Sequence, residues 1–586
     1  MTTVRKTATV DEKLDANLKG DERLIIYQCF PRLLTNTVSN PVKGGSIERN
    51  GSGKLNDLTP KVLKSIKELG VNTLWLTGII EHATRSDFSQ FGISPDNPNV
   101  VKGEAGSPYA IKDYYDVSPA IAENVNERRK EFIKAVERIH EAGLKVIIDF
   151  VPNHTARKYH SDCAPEGIND FGSADDITKF FAKDNNYYYI PNQKFAPSIN
   201  LGHGAHEYVE FPAKATGNDC FSAFCGEFDW YETVKLNYGK DYGDGSEHYD
   251  LLPDTWLKML NILRYWASLG VDGFRCDMVF MVPLPFWHWV IPEVKKTYPH
   301  LVFIGEIYDV WSYRPFLEYG HFDYLYDKVN LYDTLVGIAR HNVSAARLTD
   351  CWKAVDGLGN RMLNFLENHD EVRFASEEFA GDPSRMVPYL VTSAMISKGP
   401  FMIYYGQELG EPGADDEGFA GHNNRTTIFD YWAVDTLRRW YDGGNVSGKL
   451  LTSHEKWLRN FVGKALTLCN TLKSLREGEF FDLMYANIQN PNFDPHNIFC
   501  WLRYSNEEAL LIISNFGKEK KRIDLSIPDL AFEMASLQEK ELSENDILWG
   551  KPVAGNLKRG QALKLEIEGS DSLIIPLRKR IAEKPL

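Results

Sequence analysis

Eight short apolar runs, each followed by a longer segment of helical character, constrain the fold more than any other feature of the sequence. The runs are rich in β-branched and aromatic residues and lie at positions 24–30, 71–79, 144–151, 271–279, 301–308, 322–326, 361–368 and 400–408. Continuous apolar runs that alternate with helices are typical of parallel strands buried on both faces. The pattern therefore predicts an α/β protein built on a parallel sheet.

The segments between the runs carry helix signals. Three of them have apolar residues at helical spacing and end in a glycine just before the next run, at Gly70, Gly143 and Gly270. Glycine is favoured there because it readily adopts the left-handed backbone that ends a helix. Eight such units close as a (β/α)8 TIM barrel, although a doubly wound open sheet uses the same units.

Two regions depart from this rhythm. Residues 153–245, between the third and fourth runs, are too many for one helix and predict an irregular subdomain inserted after the third strand. From residue 479 onward, alternating strands with polar turns predict a C-terminal antiparallel β-sandwich domain. The predicted domains are the barrel (1–152 and 246–478), the insert (153–245) and the C-terminal domain (479–586).

Composition and charge exclude several classes of protein. Hydrophobic residues make up 43% and charged residues 25% of the 586 residues, which excludes a disordered or collagen-like chain. The net charge of −15 repels phosphate backbones and anionic membranes, so we expect neither a nucleic acid nor a membrane as partner. A neutral ligand is compatible with any net charge, and the oligomeric state stays open.

Cysteine usage and the N-terminal segment predict the location. Eight cysteines are scattered without a CxxC pair, which favours reduced thiols in a reducing compartment. Residues 1–23 lack the apolar run of a signal peptide. No stretch approaches the roughly 18 uncharged apolar residues of a membrane span. We therefore expect a cytoplasmic protein.

Polar residues collect at the carboxyl ends of the apolar runs. The third run ends with Asp149, the fourth with Arg275 and Asp277, the fifth with Glu306 and the seventh with His369-Asp370. In a barrel, the carboxyl ends of the strands form the catalytic face. Any single one of these carboxylates could be a structural ion pair. Four at corresponding strand ends favour an active site.

Two of these carboxylates suit complementary roles. Arg275 and Asp277 lie two residues apart on one strand face, so the guanidinium is expected to keep Asp277 ionised. Glu306 follows three apolar residues, and desolvation would raise its pKa. On adjacent strands the two would be about 5 Å apart, the separation in retaining glycosidases. An ionised nucleophile beside a protonated acid is the resulting hypothesis.

Four segments together resemble a known family. DFVPNH (149–154), GFRCD (273–277), GEIY (305–308) and FLENHD (365–370) are similar, in order and spacing, to the four signature regions of the α-amylase family of glycoside hydrolases. The resemblance covers residues 20–580. It implies a (β/α)8 barrel with an inserted domain and a C-terminal β-sandwich, which agrees with the prediction from the apolar runs.

The resemblance also implies a catalytic set. Asp277 would be the nucleophile that forms a covalent glycosyl-enzyme, with Arg275 orienting it. Glu306 would protonate the leaving oxygen and later activate water. Asp370 would be the third carboxylate, hydrogen-bonded to sugar hydroxyls as the ring distorts.

Further residues are predicted to bind the substrate on the same resemblance. They are Tyr114, which would stack on a sugar ring, His154 and His369, which would bond its hydroxyls, and Asp149 and Arg425. A packing role for Tyr114, and a core or capping role for either histidine, are the alternatives. Arg425 has weaker support, because Gly421 stands where some amylases have an aspartate.

The chain departs from the family where a metal could bind. Many endo-amylases carry Lys-His shortly after the nucleophile, but this chain has Met278-Val279-Phe280, and a backbone position associated with the family's calcium site is lost. Residues 48–58 carry Gly, Ser and Asn in place of most carboxylates, so no calcium is expected there. We predict no metal and no cofactor, and leave open a calcium ion near Asn153.

The leading hypothesis is a retaining hydrolase of α-glucosidic, mainly α-1,4, bonds in malto-oligosaccharides or starch-type glucans. A transglycosylase with the same intermediate and a catalytically inactive sugar-binding scaffold are the alternatives. A phosphate-binding barrel enzyme is disfavoured, because acidic residues at 411 and 415–417 would repel phosphate. The sequence leaves linkage preference, chain length and endo or exo action open.

Overall fold

Eight parallel strands close into a barrel in the computed structural model, which describes residues 23–578. The strands are β1 (Ile25–Cys29), β2 (Thr73–Leu76), β3 (Lys145–Phe150), β4 (Gly273–Cys276), β5 (Val302–Gly305), β6 (Tyr324–Tyr326), β7 (Met362–Phe365) and β8 (Phe401–Tyr404). Each strand pairs with its neighbours in chain order and β8 pairs with β1. The predicted barrel is confirmed. Most of the N-terminal segment used to predict the location, residues 1–22, lies outside the described residues.

Helices connect successive strands. The longer ones are α1 (Pro60–Lys67), α2 (Arg128–Glu141), α3 (Asp254–Ser268), α4 (Leu284–Lys295), α5 (Val310–Glu318), α6 (Asp333–Arg340), α7 (Leu348–Ala354), α8 (Met386–Met395), α9 (Asp435–Tyr441), α10 (Ser453–Thr471) and α11 (Asp529–Met534). On α2, Phe132, Val136 and Ile139 are buried at helical spacing. This apolar stripe packs the helix onto the barrel.

Strand register brings the polar strand ends together. Arg275 on β4 lies directly beside Asp149 on β3 and Ile304 on β5. The ladder continues one residue past the strands, because the Asp277 N–H donates to the Phe150 carbonyl at 2.9 Å. The backbone ladder therefore fixes the Cα positions from which the side chains at the carboxyl ends of the strands extend.

An insert lies between β3 and α3. Its strand His154–Ala156 pairs antiparallel with Thr233–Lys235, and Tyr189–Ile190 pairs with Ala213–Lys214. A small separate core that includes Phe195 packs within this region. The first pairing holds the end of the insert against the exit of β3. The exact boundaries 153 and 245 stay a prediction.

The C-terminal region is antiparallel, as predicted. Its strands are β9 (Glu479–Asp482), β10 (Ile498–Tyr504), β11 (Ala509–Asn515), β12 (Lys521–Leu525), β13 (Lys540–Asn545), β14 (Pro552–Leu557), β15 (Leu563–Ile567) and β16 (Asp571–Arg578). They form the sheet β9-β10-β11-β16 and the pairs β12–β15 and β13–β14. The sequence missed β9, β13, β14 and the helix α11. In β13, Leu542 is the one buried residue among exposed and half-buried polar ones, so the apolar signal is weak.

The cysteines and the helices concern the predicted cellular location. All eight cysteines are unpaired. Within residues 23–578, every helix is too short or too polar to span a bilayer.

Gly273 allows β4 and β5 to lie close enough for the ladder that carries the active-site residues. A Cβ at this position would lie 2.5 Å from the Val302 carbonyl oxygen. We expect Gly273→Ala to destabilise the fold by about 1–3 kcal/mol, because the strands must separate. Thermal and urea unfolding measure the loss. Gly359→Ala is the control, since its Cβ would meet nothing closer than 3.9 Å. Equal stabilities of the two variants would contradict the prediction.

Candidate active site

One guanidinium organises the carboxyl ends of β3, β4 and β5. Arg275, which has no exposed surface, donates from Nη1 to Asp277 Oδ1 at 2.9 Å and to Asp149 Oδ1 at 3.4 Å. Its Nη2 pairs with Glu306 Oε2 at 2.7 Å, and its Nε donates to the Tyr326 hydroxyl at 3.1 Å. The prediction that Arg275 and Asp277 share a strand face is confirmed, and one cation contacts three carboxylates.

Asp277 and Glu306 open onto the same cavity. Its volume is about 290 Å³, at the lower end of the roughly 300–1,000 Å³ range of small-ligand pockets. It is lined by Lys102, Ser107, Tyr109, His154, Trp230, Glu232, Thr233, Asp277, Met278, Glu306, Tyr308, Asp370 and Phe429. A single bound molecule can therefore contact both carboxylates at once.

The two carboxylates are held differently. Glu306 accepts a hydrogen bond from the Met278 N–H at 2.8 Å and one from the Tyr308 hydroxyl, in addition to its ion pair with Arg275. Met278 adopts a left-handed backbone with φ of 44°, which directs its N–H at Glu306. Asp277 Oδ2 is buried and has no hydrogen-bond partner among residues 23–578. That oxygen is free to react.

The charge state differs from the prediction. Burial, followed by the negative charge of Glu306, raises the pKa of Asp277 well above its ordinary value, and Arg275 opposes the shift only in part. The prediction from sequence was an ionised Asp277 held by Arg275. The reason for the difference is that Arg275 is shared among three carboxylates in a buried site. Asp277 therefore keeps its proton more readily than an exposed aspartate while no substrate is bound.

Asp370 is the third carboxylate at the cavity, and its side chain is about 40% exposed. Although burial opposes it, the neighbouring His369 lowers the pKa of Asp370 to about 2. His369 Nε2 lies 3.0 Å from Asp370 Oδ2, and Gln28 Nε2 lies 2.8 Å from His369 Nδ1. Nε2 therefore faces Asp370, and it also lies 2.5 Å from the Tyr109 hydroxyl. The sequence analysis placed both residues at this face.

His154 lines the cavity, as predicted, and is neutral. Burial and the nearby charge of Lys235 lower its pKa to about 3. Its Nδ1 lies 3.1 Å from Asn153 Nδ2, and the ring is also hydrogen-bonded to the Tyr109 backbone. The Trp230 ring meets it edge-on at 5.3 Å. These contacts fix the orientation of the imidazole.

The prediction that Tyr114 stacks on a sugar ring is wrong. Tyr114 has no exposed surface, and its hydroxyl donates to the carbonyls of Val151 and His154 beneath the cavity. Tyr109, five residues earlier, lines the cavity instead and stacks on His369 with ring centroids 5.2 Å apart. Tyr114 lies inside the strand Ile111–Val117, whereas Tyr109 lies before this strand.

Besides Arg275 and His369, two other predicted binding residues, Asp149 and Arg425, lie outside the cavity lining. Asp149 is 7% exposed and accepts a hydrogen bond from Trp75 Nε1 at 2.9 Å, behind Arg275. Burial raises its pKa, although Arg275 opposes the shift. Arg425 is exposed, and its positive charge acts on Asp370. Asp149 therefore supports Arg275, and direct contact of either residue with a substrate stays a prediction.

The comparisons with known proteins agree with this geometry. Residues 28–477 match the family model described as alpha amylase, catalytic domain. The chain belongs to the α-amylase family. It is an α-amylase-type glycosidase.

Relatives of this α-amylase-family chain are distant. An alpha-glucosidase of Apis mellifera is 24% identical over 584 residues, covering 87% of this chain and 88% of that protein. A cyclomaltodextrinase of Thermoanaerobacter pseudethanolicus is 23% identical over 407 residues, covering 67% of this chain and 58% of that protein. The crystal structure of the noncanonic maltogenic alpha-amylase AmyB from Thermotoga neapolitana superposes with a TM-score of 0.61 at 22% identity, covering 96% and 99% of the two chains. At these identities the similarity establishes the fold, and the named activities differ.

The sequence analysis missed several residues of this α-amylase-family site. Lys102 and Glu232 form an ion pair of 2.9 Å in the cavity wall, and each is less than a tenth exposed. Tyr308 and Trp230 also line the cavity. Gln28 alone carried a signal, because it is a polar residue within an apolar run. Tyr308 is the last residue of the GEIY segment, and the other three lie in irregular loops, where no local pattern marks them.

The structure also bears on calcium near Asn153, the question that the sequence left open. Asn153 Oδ1 accepts a hydrogen bond from Lys235 Nζ at 2.5 Å. The same ammonium lies 2.6 Å from Asp219 Oδ1 and 2.9 Å from the Met281 carbonyl oxygen. The residues around Asn153 therefore do not fit a calcium ion, because a lysine already supplies the positive charge.

The raised pKa of Asp277 has a consequence for stability. Between the ordinary aspartate value of 3.8 and its raised folded-state pKa, the folded chain binds more protons than the unfolded chain. The free energy of unfolding therefore falls as pH rises through this window. We expect Asp277→Asn, which cannot ionise, to melt at a higher temperature than the wild type at about pH 7.5, with the difference lost near about pH 3.5.

Thermal melts across this pH range test the prediction. Asp184→Asn is the matched control, because the Asp184 side chain is 71% exposed. It should melt like the wild type at both pH values. A variant Asp277→Asn that is less stable than the wild type at neutral pH would contradict the assigned direction of the pKa shift.

Proposed function

We propose that the chain is a retaining glycoside hydrolase that cleaves α-glucosidic, mainly α-1,4, bonds of malto-oligosaccharides or starch-type glucans. The observation that carries this proposal is the common cavity of Asp277 and Glu306, which one guanidinium holds at adjacent strand ends. A retaining mechanism needs two carboxyl groups around one acetal, one to attack it and one to protonate it.

In the first step, Asp277 Oδ2 would attack the anomeric carbon while the bond from that carbon to the leaving oxygen breaks. This oxygen has no partner among the described residues, so no hydrogen bond must be broken first. Glu306 would give its proton to the leaving oxygen. At that moment Glu306 must be protonated and Asp277 ionised, because the acid gives a proton while the carboxylate attacks.

In the second step, water would attack the anomeric carbon of the glycosyl-aspartate. Glu306, now a carboxylate, would take the proton from that water, and the ester bond to Asp277 would break. The Met278 N–H and the Tyr308 hydroxyl hydrogen-bond to Glu306 and would stabilise its ionised form in this step.

Other groups at the cavity would bind the sugar. The low pKa of Asp370 keeps it ionised, so it can accept hydrogen bonds from hydroxyls. The ring of Tyr109 offers an aromatic surface, and neutral His154 offers a polar edge. Hydrogen bonds that strengthen as the ring distorts would stabilise the oxocarbenium-like transition state.

A transglycosylase is the second candidate, because both reactions share the covalent intermediate and differ only in the acceptor. Incubation with maltoheptaose separates them. Hydrolysis increases the number of reducing ends, whereas transfer redistributes chain lengths at a constant number. A sugar-binding scaffold without activity would bind maltoheptaose and change neither quantity, and that result would overturn the proposed function.

We also propose that the protein works in the cytoplasm. The eight unpaired cysteines, six of them buried, support a reducing compartment.

The assigned roles predict two distinct kinetic defects. We expect Asp277→Asn to lower kcat/KM by at least about a thousandfold, because the covalent nucleophile is lost. We expect Glu306→Gln to lose activity on maltoheptaose but to keep glycosylation by a substrate with an activated leaving group. The alkaline limb of its pH profile on that substrate should also disappear, because no acid remains to deprotonate.

The control for both variants is Asp309→Asn. Asp309 lies three residues after Glu306 and its side chain accepts a hydrogen bond from the Trp311 N–H at the start of α5, which asparagine can replace. It should retain wild-type kinetics. Activity of Asp277→Asn within about tenfold of the wild type would remove the nucleophile assignment.

A further inference from the structure

A buried lysine lies under the wall of the active-site cavity. Lys235, at the end of the insert strand Thr233–Lys235, is 2% exposed. Its ammonium contacts three oxygens: Asn153 Oδ1 at 2.5 Å, Asp219 Oδ1 at 2.6 Å and the Met281 carbonyl at 2.9 Å. These oxygens come from the exit of β3, from the insert and from the loop after β4. One cation therefore ties three separate segments together.

The number of contacts matches the chemistry of an ammonium. Lysine has three N–H donors, and three acceptors surround Lys235. Burial lowers its pKa, and the carboxylate of Asp219 opposes that shift, whereas the charge of Lys240 adds to it. A carboxylate, an amide oxygen and a carbonyl are also the oxygen types that a calcium ion takes. The three oxygens are thus of the types that bind a calcium ion, but the positive charge between them is the ammonium of Lys235.

One of these contacts, between Lys235 and Asn153, also affects His154. Because Asn153 Oδ1 accepts from Lys235, the Asn153 Nδ2 group faces the other way. It donates to the Gly217 carbonyl at 2.7 Å and lies 3.1 Å from His154 Nδ1. His154 Nδ1 is then the acceptor, so the ring proton is on Nε2. Lys235 therefore fixes the tautomer of a histidine that lines the cavity.

A second contact, between Lys235 and the Met281 carbonyl, affects the loop that begins at Asp277. Met281 lies four residues after Asp277, and its N–H donates to the Met278 carbonyl at 3.0 Å. Met278 in turn donates its N–H to Glu306. The segment 277–281 is thus a tight turn that Glu306 holds at one end and Lys235 at the other.

We propose that Lys235 is a positioning residue that acts as a built-in cation, so that this chain needs no metal ion to assemble its active site. The ammonium fixes the positions of the Asn153–His154 pair and of the turn after Asp277 at the same time. The proposed effect of Lys235 on the structure holds whichever glucoside is cleaved. Only the expected change in kcat/KM rests on the proposed function.

The wild-type protein gives the first test. Treatment with EDTA should leave both the melting temperature and kcat/KM on maltoheptaose unchanged, and added CaCl2 should change neither. Loss of stability in EDTA with recovery in CaCl2 would overturn the proposal. This test needs no variant and, through the melting temperature, no activity.

Two substitutions give the second test. Lys235→Met keeps the stem and removes the charge, and we expect kcat/KM to fall by about tenfold to a hundredfold, because displacements of about 1 Å cost rates of this order. Lys235→Ala also vacates the space beside the three oxygens. Added CaCl2 should raise the melting temperature of Lys235→Ala by several degrees, and terbium luminescence should report ion binding. Lys235→Met, whose stem still fills the space, should not respond.

Lys179→Met is the control, because Lys179 lies in the same insert but its side chain is 62% exposed. It should keep wild-type kinetics and should not respond to CaCl2. Unchanged kcat/KM in Lys235→Met, or no response of Lys235→Ala to calcium or terbium, would each overturn the proposal. If wild type and variants hydrolyse nothing, the proposed function fails, and the calcium response of the melting temperature still decides the role of Lys235.

Discussion

The guanidinium of Arg275 is the interaction on which the active site depends. It contacts Asp149, Asp277 and Glu306, none of which is more than 7% exposed. Buried charges are costly unless each is paired and hydrogen-bonded, and removal of one partner leaves the others uncompensated. With one cation among three carboxylates, the set carries excess negative charge. Burial, together with the negative charge of Glu306, therefore raises the pKa of Asp277 although Asp277 touches an arginine.

This balance connects the resting site to its chemistry. Glu306 receives two hydrogen bonds as well as the Arg275 ion pair, whereas one oxygen of Asp277 receives no hydrogen bond from the described residues. In the empty site the hydrogen-bond donors are thus concentrated on Glu306, and one oxygen of Asp277 is left for the acetal. In the proposed first step, a glycosidic oxygen beside Glu306 would accept the hydrogen bond through which the acid gives its proton.

Sequence patterns predicted the features that recur along the chain, namely the barrel strands and the polar residues at their carboxyl ends. The apolar runs gave all eight barrel strands, and the strand ends gave Asp277, Glu306, Asp370 and Arg275 at one face. The stacking role predicted for Tyr114 failed because Tyr114 lies inside the strand Ile111–Val117, whereas Tyr109, before that strand, lines the cavity. The ionised state predicted for Asp277 is opposed by burial, which the argument from Arg275 left out.

Contacts between distant segments had no local signal. Lys102 and Glu232 meet across 130 residues of sequence to form the cavity wall, and neither lies in a periodic element that would mark it as buried. The strands β13 and β14 were missed because they form a two-stranded ribbon with few buried residues, Leu542 in β13 and Val553 and Leu557 in β14. The irregular insert is therefore the part of the site that the sequence describes least.

The insert is nevertheless part of the catalytic geometry. Arg275 is a cation on a barrel strand, and its anions lie on that strand and its two neighbours. Lys235 is a cation near the end of the insert, whereas Asn153 begins the insert at the exit of β3 and Met281 belongs to the loop after β4. The barrel can place Asp277 and Glu306 through its own backbone ladder. The orientation of His154 and the turn after Asp277 are complete only when the insert strand has paired and brought Lys235 under them. Folding of the insert and completion of the site are then linked, because the free energy of the ammonium contacts is gained only in the conformation that also forms the cavity.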